Sequence, residues 1–263
     1  MKQRGNKNNF EKIFHKIRFA FSIIKEYKNW YLVFLDYFGL IKNKLLIYKL
    51  KTGAKYFSRA GTTDFEIINE IYVVKEYHKL LEYLGKGSVV IDIGAQMGVF
   101  SIFSALRDSS IKVYSYEPFL PNYNLLKKNI QLNNLSKQVI PLNLGVGKKS
   151  EKRNFTVSDK NTGGHGFYCT DSSEKIQIKT ISLKEVFEKN KIKKCDFLKM
   201  DCEGAEYEIF FNTPDSYLKK IRSITMEYHN NGDVAGLKIF LEKSGFVVEV
   251  IGAADGLLYA YRK

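Results

Sequence analysis

Four times between residues 89 and 229 a short apolar run stops at acidic residues. Val89-Val90-Ile91 runs into Asp92-Ile93-Gly94-Ala95-Gln96-Met97-Gly98, and Val113-Tyr114-Ser115-Tyr116 runs into Glu117. Phe197-Leu198-Lys199-Met200 meets Asp201-Cys202-Glu203-Gly204, and Ile224-Thr225-Met226 meets Glu227-Tyr228-His229. A short, unbroken β-branched run suits a strand covered on both faces. Helical patterns occupy the intervals at 122–133, 182–188, 205–211 and 234–244, the first entered through Pro121, whose ring is pre-set for a first turn. A further strand pattern covers 139–142. Segments 154–157 and 175–180 read as a hairpin around Gly163, Gly164 and Gly166, and 246–251 with 257–261 read as a closing antiparallel pair. Alternating strands and helices imply an α/β fold, a Rossmann-like parallel sheet with helices on both faces.

The chain before residue 61 differs in character. Residues 1–60 hold 14 Lys and Arg against Glu11, Glu26 and Asp36, a net +11, whereas 61–263 hold 28 against 25, a net +3. Residues 1–9 are polar and basic, as a frayed end is. From Phe10 to Phe38 the pattern is helical: Phe10, Ile13, Phe14, Ile17, Phe21 and Ile24 recur at three- and four-residue spacing with basic residues between. Residues 45–50 and 55–58 flank Gly53 as a β-hairpin. The expected division is a basic extension, 1–60, and an α/β domain, 61–263. The latter opens on Thr62-Thr63-Asp64, an N-cap signature, ahead of a helix carrying Ile67, Ile68, Ile71, Val74 and Tyr77.

Composition excludes several classes. An apolar fraction of 44% fills a core and rules out a disordered chain. Cys169, Cys195 and Cys202 form no C-x-x-C pair and have no histidine at ligand spacing, so no metal is assigned and reduced, cytoplasmic thiols are expected. Charges interrupt every early apolar run before a secretory signal forms, and runs 19–24 and 30–35 are about a third of the ~20 residues a membrane span needs.

The first two strand ends suit a nucleotide-like ligand. Glycines at 94 and 98 let backbone come close, the following helix offers amide groups, and an acid at 117 can take both ribose hydroxyls. A bare β–turn–α corner would need the glycines for sterics alone. A dinucleotide site would place a small residue where Gln96 stands, because the pyrophosphate lies there. S-adenosylmethionine (SAM), with ribose and adenine but no pyrophosphate, fits better, with Asp92 near its cationic end.

The other two ends supply acid and base. Asp201 and Glu203 could orient or deprotonate a hydroxyl or bind a divalent cation; they could equally cap the next helix and complement its dipole. Glu206 reads as structural and Glu208 as solvated. Glu227 and His229 fall on one side of an extended chain, where the imidazole could act as a base or serve as a hydrogen-bonded structural residue.

In this order the motifs resemble the FkbM-type family of class I SAM-dependent methyltransferases. The carrying segments are IDIGAQMGVF (91–100), YSYEP (114–118), FLKMDCEGAEYEIF (197–210) and ITMEYH (224–229), with TTDFEIINEIYVVKEY (62–77) resembling the family's pre-core helix. The resemblance spans about 85–263, and the Asp-x-Glu-Gly-x-Glu segment is its most specific part. It implies that Asp92, Gly94 and Gly98 hold the methionine end of SAM and Glu117 its ribose, and Gln96 in the same turn joins them as a cofactor-binding candidate. Asp201 and Glu203 would border the acceptor. From their shared sheet edge, Asp201, Glu203 and His229 are the candidate bases, with Glu227 as orienter. Gln96 stands where the family often has Asn. The implied reaction is O-methylation of a sugar, glycan or small natural product.

The extension, outside the family core, leaves three uses open. With Tyr27, Trp30, Tyr31, Tyr37 and Tyr48 among its cations it could track a nucleic acid, although no amino-methylating Asn/Asp-Pro-Pro-Tyr-like motif follows the fourth strand. Its apolar and basic faces suit a peripheral contact with an anionic membrane, for a cytoplasmic enzyme at the inner membrane face working on a lipid-linked glycan. Or it packs on the core.

Overall fold

The computed structural model describes residues 9–158, 162–168, 172, 174–253 and 255–263, with side chains from residue 18 onward. The polar tail before residue 9, the side chains of Phe10, Ile13, Phe14 and Ile17, and Cys169 lie outside the described residues.

The single helical pattern is two helices, α1 (Asn9–Glu26) and α2 (Trp30–Tyr37). The break has a physical cause at Tyr27. Its hydroxyl donates to Asn69 Oδ1 at 2.8 Å and its ring meets Tyr48 edge-on. Asn29 ties the junction to the hairpin strand β1 (Leu45–Lys49), donating to Ile47 O and accepting from Lys49 N, both at 2.8 Å. These contacts turn Ile23 and Tyr27, one helical turn apart, inward. The described end of the expected apolar stripe faces the other way: Phe21 and Ile24 are exposed.

Strand β2 (Lys55–Arg59) completes the hairpin, with Tyr48 opposite Tyr56. Tyr48 donates to Asp36 Oδ2 at 2.5 Å, and the other Asp36 oxygen accepts from Gly61 N at 2.6 Å. The helices and hairpin share one apolar cluster with Val90, Val113 and Phe197 of the main sheet. Next comes α3 (Asp64–Asn69), continued by a π-turn at Glu70–Val74 that ends at Lys75 with φ 66°. Thr63 stands at the N-cap position but makes no capping bond. Its hydroxyl lies 2.9 Å from that of Thr162, while the buried Asp64 takes the Arg59 guanidinium at 2.7 Å.

The main sheet uses β3 (Val89–Ile93), β4 (Lys112–Tyr116), β5 (Val139–Leu142), and, after a small sheet described below, β9 (Phe197–Met200), β10 (Ser223–Tyr228), β11 (Val247–Gly252) and β12 (Gly256–Tyr261). Their order is β11-β12-β10-β9-β3-β4-β5. Five strands, β10 to β5 in that order, are parallel. The closing pair β11–β12 is antiparallel, and β12 also inserts antiparallel beside β10. Strand order reverses between β3 and β9, which opens a crevice at their carboxyl ends. The small sheet, β6 (Gly145–Gly147), β7 (Glu151–Thr156) and β8 (Lys175–Ser182), includes the predicted hairpin and adds the short β6, which the sequence reading lacks.

Helices cover both faces. Alternate β3 residues point to opposite sides, Val90 into the layer that holds α4 (Val99–Ala105) and α5 (Leu120–Leu132), Ile91 and Ile93 into the other. That second layer holds α6 (Leu183–Lys189), α7 (Glu206–Phe211) and α9 (Val234–Lys243), with the short α8 (Asp215–Leu218) between them. Ser182 and Glu185 close a capping box on α6.

Candidate active site

A cleft enclosing about 1100 Å³, counting its open mouth, sits over the carboxyl ends of β3, β4, β9 and β10. One wall is α3 with its π-turn (Glu66, Ile67, Glu70), and another is the glycine-rich segment carrying Gly163, His165 and Phe167. Gly166 lets that segment lie on Glu203, where a side chain would meet the Glu203 Cβ at 2.6 Å.

Every amide of the first glycine corner has a partner within the protein. Gly94 N and Ala95 N both reach Tyr116 O, at 3.1 and 3.0 Å, and Gly98 N reaches Ala95 O at 2.7 Å. Gln96 N donates to Glu117 Oε2 at 2.8 Å, and Met97 N donates to the Gln96 side-chain oxygen. No amide from 94 to 98 is left for a phosphate. Gly94, at φ 73°, is the tight point: a side chain there would run into the Asp201 carbonyl. The Gln96 side chain lies along the wall, its Nε2 3.2 Å from Asp64 Oδ1, and leaves the hollow between Gly94 and Glu117 open.

Glu117 lines the cleft and is almost fully buried. Burial pushes its carboxyl up to about 7, against the two amides (Phe119 and Gln96) that favour its charge. Asp92 does not line the cleft. It shares the Val90 face of β3, is fully buried, and accepts from Ser101 Oγ of α4 at 2.5 Å. Burial raises its carboxyl above the usual range although Lys199 stands 3.7 Å away. Gly98 likewise lies behind the wall, at the head of α4 against Leu126.

Lys199 is the residue whose role the sequence reading missed. Its ammonium donates to Gly94 O at 2.8 Å and stands 3.5 Å from Asp201 Oδ2, so one buried cation ties β3 to β9. Burial opposes its charge, but Asp201 and then Asp92 outweigh that and raise its pKa.

On the acceptor side, Asp201, Glu203 and Glu227 line the cleft and His229 stands just behind. His229 Nε2 is 3.2 Å from Glu203 Oε2 and Nδ1 is 3.3 Å from Glu206 Oε1. Burial disfavours its charge, yet the two carboxylates lift it to about 11. His229 is therefore an imidazolium at neutral pH, with no lone pair to accept a proton. In that state the ring is a donor to the two carboxylates rather than a base. Glu206 is wholly buried and accepts from Cys202 N and Gly204 N at 3.1 and 3.2 Å, fixing the loop that carries Glu203 at φ 54°. Glu208 is not solvated; it pairs with Arg153 and accepts from Tyr168 at 3.2 Å.

Glu227 has no such cation at contact distance among the described residues. Burial, then Asp201, push its carboxyl up to about 8. Burial raises Glu203, less so for its contact with His229, and burial with Glu76 and Asp201 carries Glu70 to about 7. In all, six carboxylates and one lysine line the cleft. Ligand atoms of Asp201, Glu203 and His229 lie within 4.8 Å of one another, a spacing that could hold a cation if the imidazolium first lost its proton.

No helix among the described residues is long and apolar enough to cross a membrane. A family model described as the methyltransferase FkbM domain matches residues 92–250, more than half of the chain. The chain is 23% identical over 217 residues to Methyltransferase 1 of Beauveria bassiana (strain ARSEF 2860), covering 74% of this chain and 86% of that one. It is 23% identical to the 31-O-demethyl-FK506 methyltransferase FkbM of Streptomyces tacrolimicus, over 72% of this chain and 84% of that one. With the hexuronic acid methyltransferase AglP of Haloferax volcanii it shares 25% identity over 65% of this chain and 68% of that one.

Proposed function

Because the chain belongs to the FkbM methyltransferase family, we propose that it transfers a methyl group from SAM to a hydroxyl oxygen of a sugar, glycan or small natural product. The observation that carries the reading is Glu117: an acid at the end of β4, held against the Gln96 amide, beside a glycine corner with no amide to spare for phosphate. A pyrophosphate would meet a carboxylate and closed backbone there. A ribose would meet an acceptor for its hydroxyls.

Glu117 would hold that ribose, with Gly94 and Gln96 forming the floor; Asp92 supports the floor from behind. SAM, when bound, supplies a methyl group already activated as a sulfonium. The chain's own task is to exclude water, align the acceptor and take its proton; alignment alone is worth about 7–11 kcal/mol in favourable cases. The acceptor oxygen bonds the methyl carbon while the carbon–sulfur bond breaks, sulfur keeps the electron pair, and the hydroxyl proton passes to a carboxylate. Glu227 fits that last role best among the acids and His229. It lines the cleft, and a carboxylate near pKa 8 is matched to neutral operation. Asp201 is engaged by Lys199, and Glu203 by His229.

The lining also speaks to the acceptor. Relatives include enzymes named for FK506 and for hexuronic acid. Six carboxylates against one lysine favour a neutral or cationic polyol over an acidic sugar or a phosphate chain.

Calorimetry with S-adenosylhomocysteine and NAD side by side is the direct test: the first binds, the second does not. Methyl transfer is then assayed against a neutral hexoside, an amino sugar and a hexuronate. The first two are the expected acceptors. Glu227→Gln lowers turnover about 10²–10⁴-fold and removes the rise in rate through about pH 8. Binding of NAD alone sinks the reading, and an unchanged pH profile in Glu227→Gln sinks its base.

A further inference from the structure

Eight of the sixteen large apolar side chains exposed among the described residues lie between residues 21 and 45. Phe21, Phe38 and Leu40 are 69%, 67% and 70% exposed, far beyond an ordinary half-covered surface position. They do not stand alone. Ring centroids run from Trp30 to Phe34 at 5.8 Å, Phe34 to Phe38 at 6.4 Å, Phe38 to Tyr37 at 5.3 Å and Tyr37 to Phe19 at 5.7 Å. This is a continuous apolar face on α2 and the end of α1, of the kind that marks an interaction surface.

Cations flank it at both ends. The α1–α2 junction is stapled to β1 through Lys28 N to Lys49 O at 2.7 Å and Lys51 N to Glu26 O at 2.8 Å. That sets exposed Lys28, Lys49 and Lys51 beside the start of α2. Lys42 and Lys44 stand exposed beyond its end. Residues 18–60 carry nine Lys and Arg against Glu26 and Asp36, and Asp36 is buried under Tyr48 and Gly61. The face is also joined to the active-site cleft. Tyr37 meets Phe65 of α3 at 6.0 Å, and the neighbours of Phe65 on the same helix, Glu66 and Ile67, line the cleft.

We propose that this face seats the enzyme on an anionic lipid bilayer, with Trp30, Tyr31, Phe38 and Leu40 in the interface and the lysines against the headgroups. Charge complementarity selects the occupant. Aromatic rings with a lysine border are the composition that sits at a membrane interface. Stacked bases would use the rings but gain little from Ile24, Leu40 and Leu45, which burial in an apolar phase rewards. The seat needs no ligand in the cleft, so it stands or falls apart from the methyltransferase reading. Through α3 it would set the cleft wall close to the bilayer, suited to an acceptor with a lipid tail.

The test is co-sedimentation of the full chain with vesicles of phosphatidylcholine containing about one-third phosphatidylglycerol, against phosphatidylcholine alone. Binding is expected on the anionic vesicles at about 0.1 M salt and is weakened at about 0.5 M. Phe38→Ser with Leu40→Ser, and separately Lys42→Glu with Lys44→Glu, each lower partitioning at least about tenfold while S-adenosylhomocysteine affinity stays at the wild-type value. The charge pair keeps the test alive should the apolar pair fold poorly. Absence of binding at low salt overturns the proposal, as does binding untouched by both pairs. Two further results overturn it: a dimer in light scattering that Phe38→Ser with Leu40→Ser splits, and retention on poly(U) without vesicle binding. Loss of S-adenosylhomocysteine binding in the wild type would strike the methyltransferase reading instead.

Discussion

Two loops meet across the β3/β9 crevice and are held by different mixtures of bonds. The Gly94–Gly98 corner is closed largely by main-chain hydrogen bonds, helped by Glu117 on the Gln96 amide and Lys199 on the Gly94 carbonyl, and its tight points are Gly94 against the Asp201 carbonyl and Gly98 against Leu126. The 201–204 loop is held by side-chain charge: Lys199 beside Asp201, His229 between Glu203 and Glu206, and Glu206 on two loop amides. Main-chain bonds keep their hold at any pH, so in the corner only the Glu117 and Lys199 contacts follow protonation. The acid loop rests on charged side chains throughout and follows protonation more strongly. The corner is thus the firmer floor beneath the acceptor side of the cleft.

The sharpest break in this contrast is Gly94→Ala. It adds left-handed strain to a collision with main chain that has no room to move, together about 2–6 kcal/mol. Chemical denaturation should show a midpoint far below wild type, whereas Asp201→Asn, in the other loop, keeps a folded protein. Equal stability of the two would erase the distinction. Glu117→Gln probes where the floor meets the ligand. One amide-accepting oxygen remains, so the fold should hold. Charge-assisted bonds worth about 1.5–3 kcal/mol are lost, and S-adenosylhomocysteine should bind tenfold to a hundredfold more weakly by calorimetry. Unchanged affinity would remove Glu117 from the ribose.

The same contrast explains what could be read from sequence. Strand ends are local: β-branched runs stopped by acid and glycine located β3, β4, β9 and β10 within a residue or two, and with them Gly94, Glu117, Asp201, Glu203 and Glu227 at one edge. Strand parity was also available. Asp92 is two residues from Val90 and Lys199 two from Phe197, so both point into the α4 layer, and Asp92 was bound to sit behind the floor. What could not be read depends on distant partners. Tyr27 breaks the first helix because Asn69 and Tyr48 await it, and Thr63 abandons its cap for Thr162. The charge on His229 required Glu206, which a helix places on its far side.

His229→Gln should give the most specific effect, one that pH itself turns on and off. The folded pKa of His229, about 11, lies above its ordinary 6.5, so protonation stabilises the folded state. That contribution is fully present below about pH 6.5 and is lost progressively as pH rises to about 11. It also needs its partners ionised, so the useful range begins above the carboxylate titrations. Removing the imidazole should therefore lower the melting temperature most near pH 6.5. The gap from wild type should narrow steadily and close near pH 11. A gap that stays constant across that range would mean that packing, not charge, holds the 201–204 loop, and the two loops would then differ only in degree.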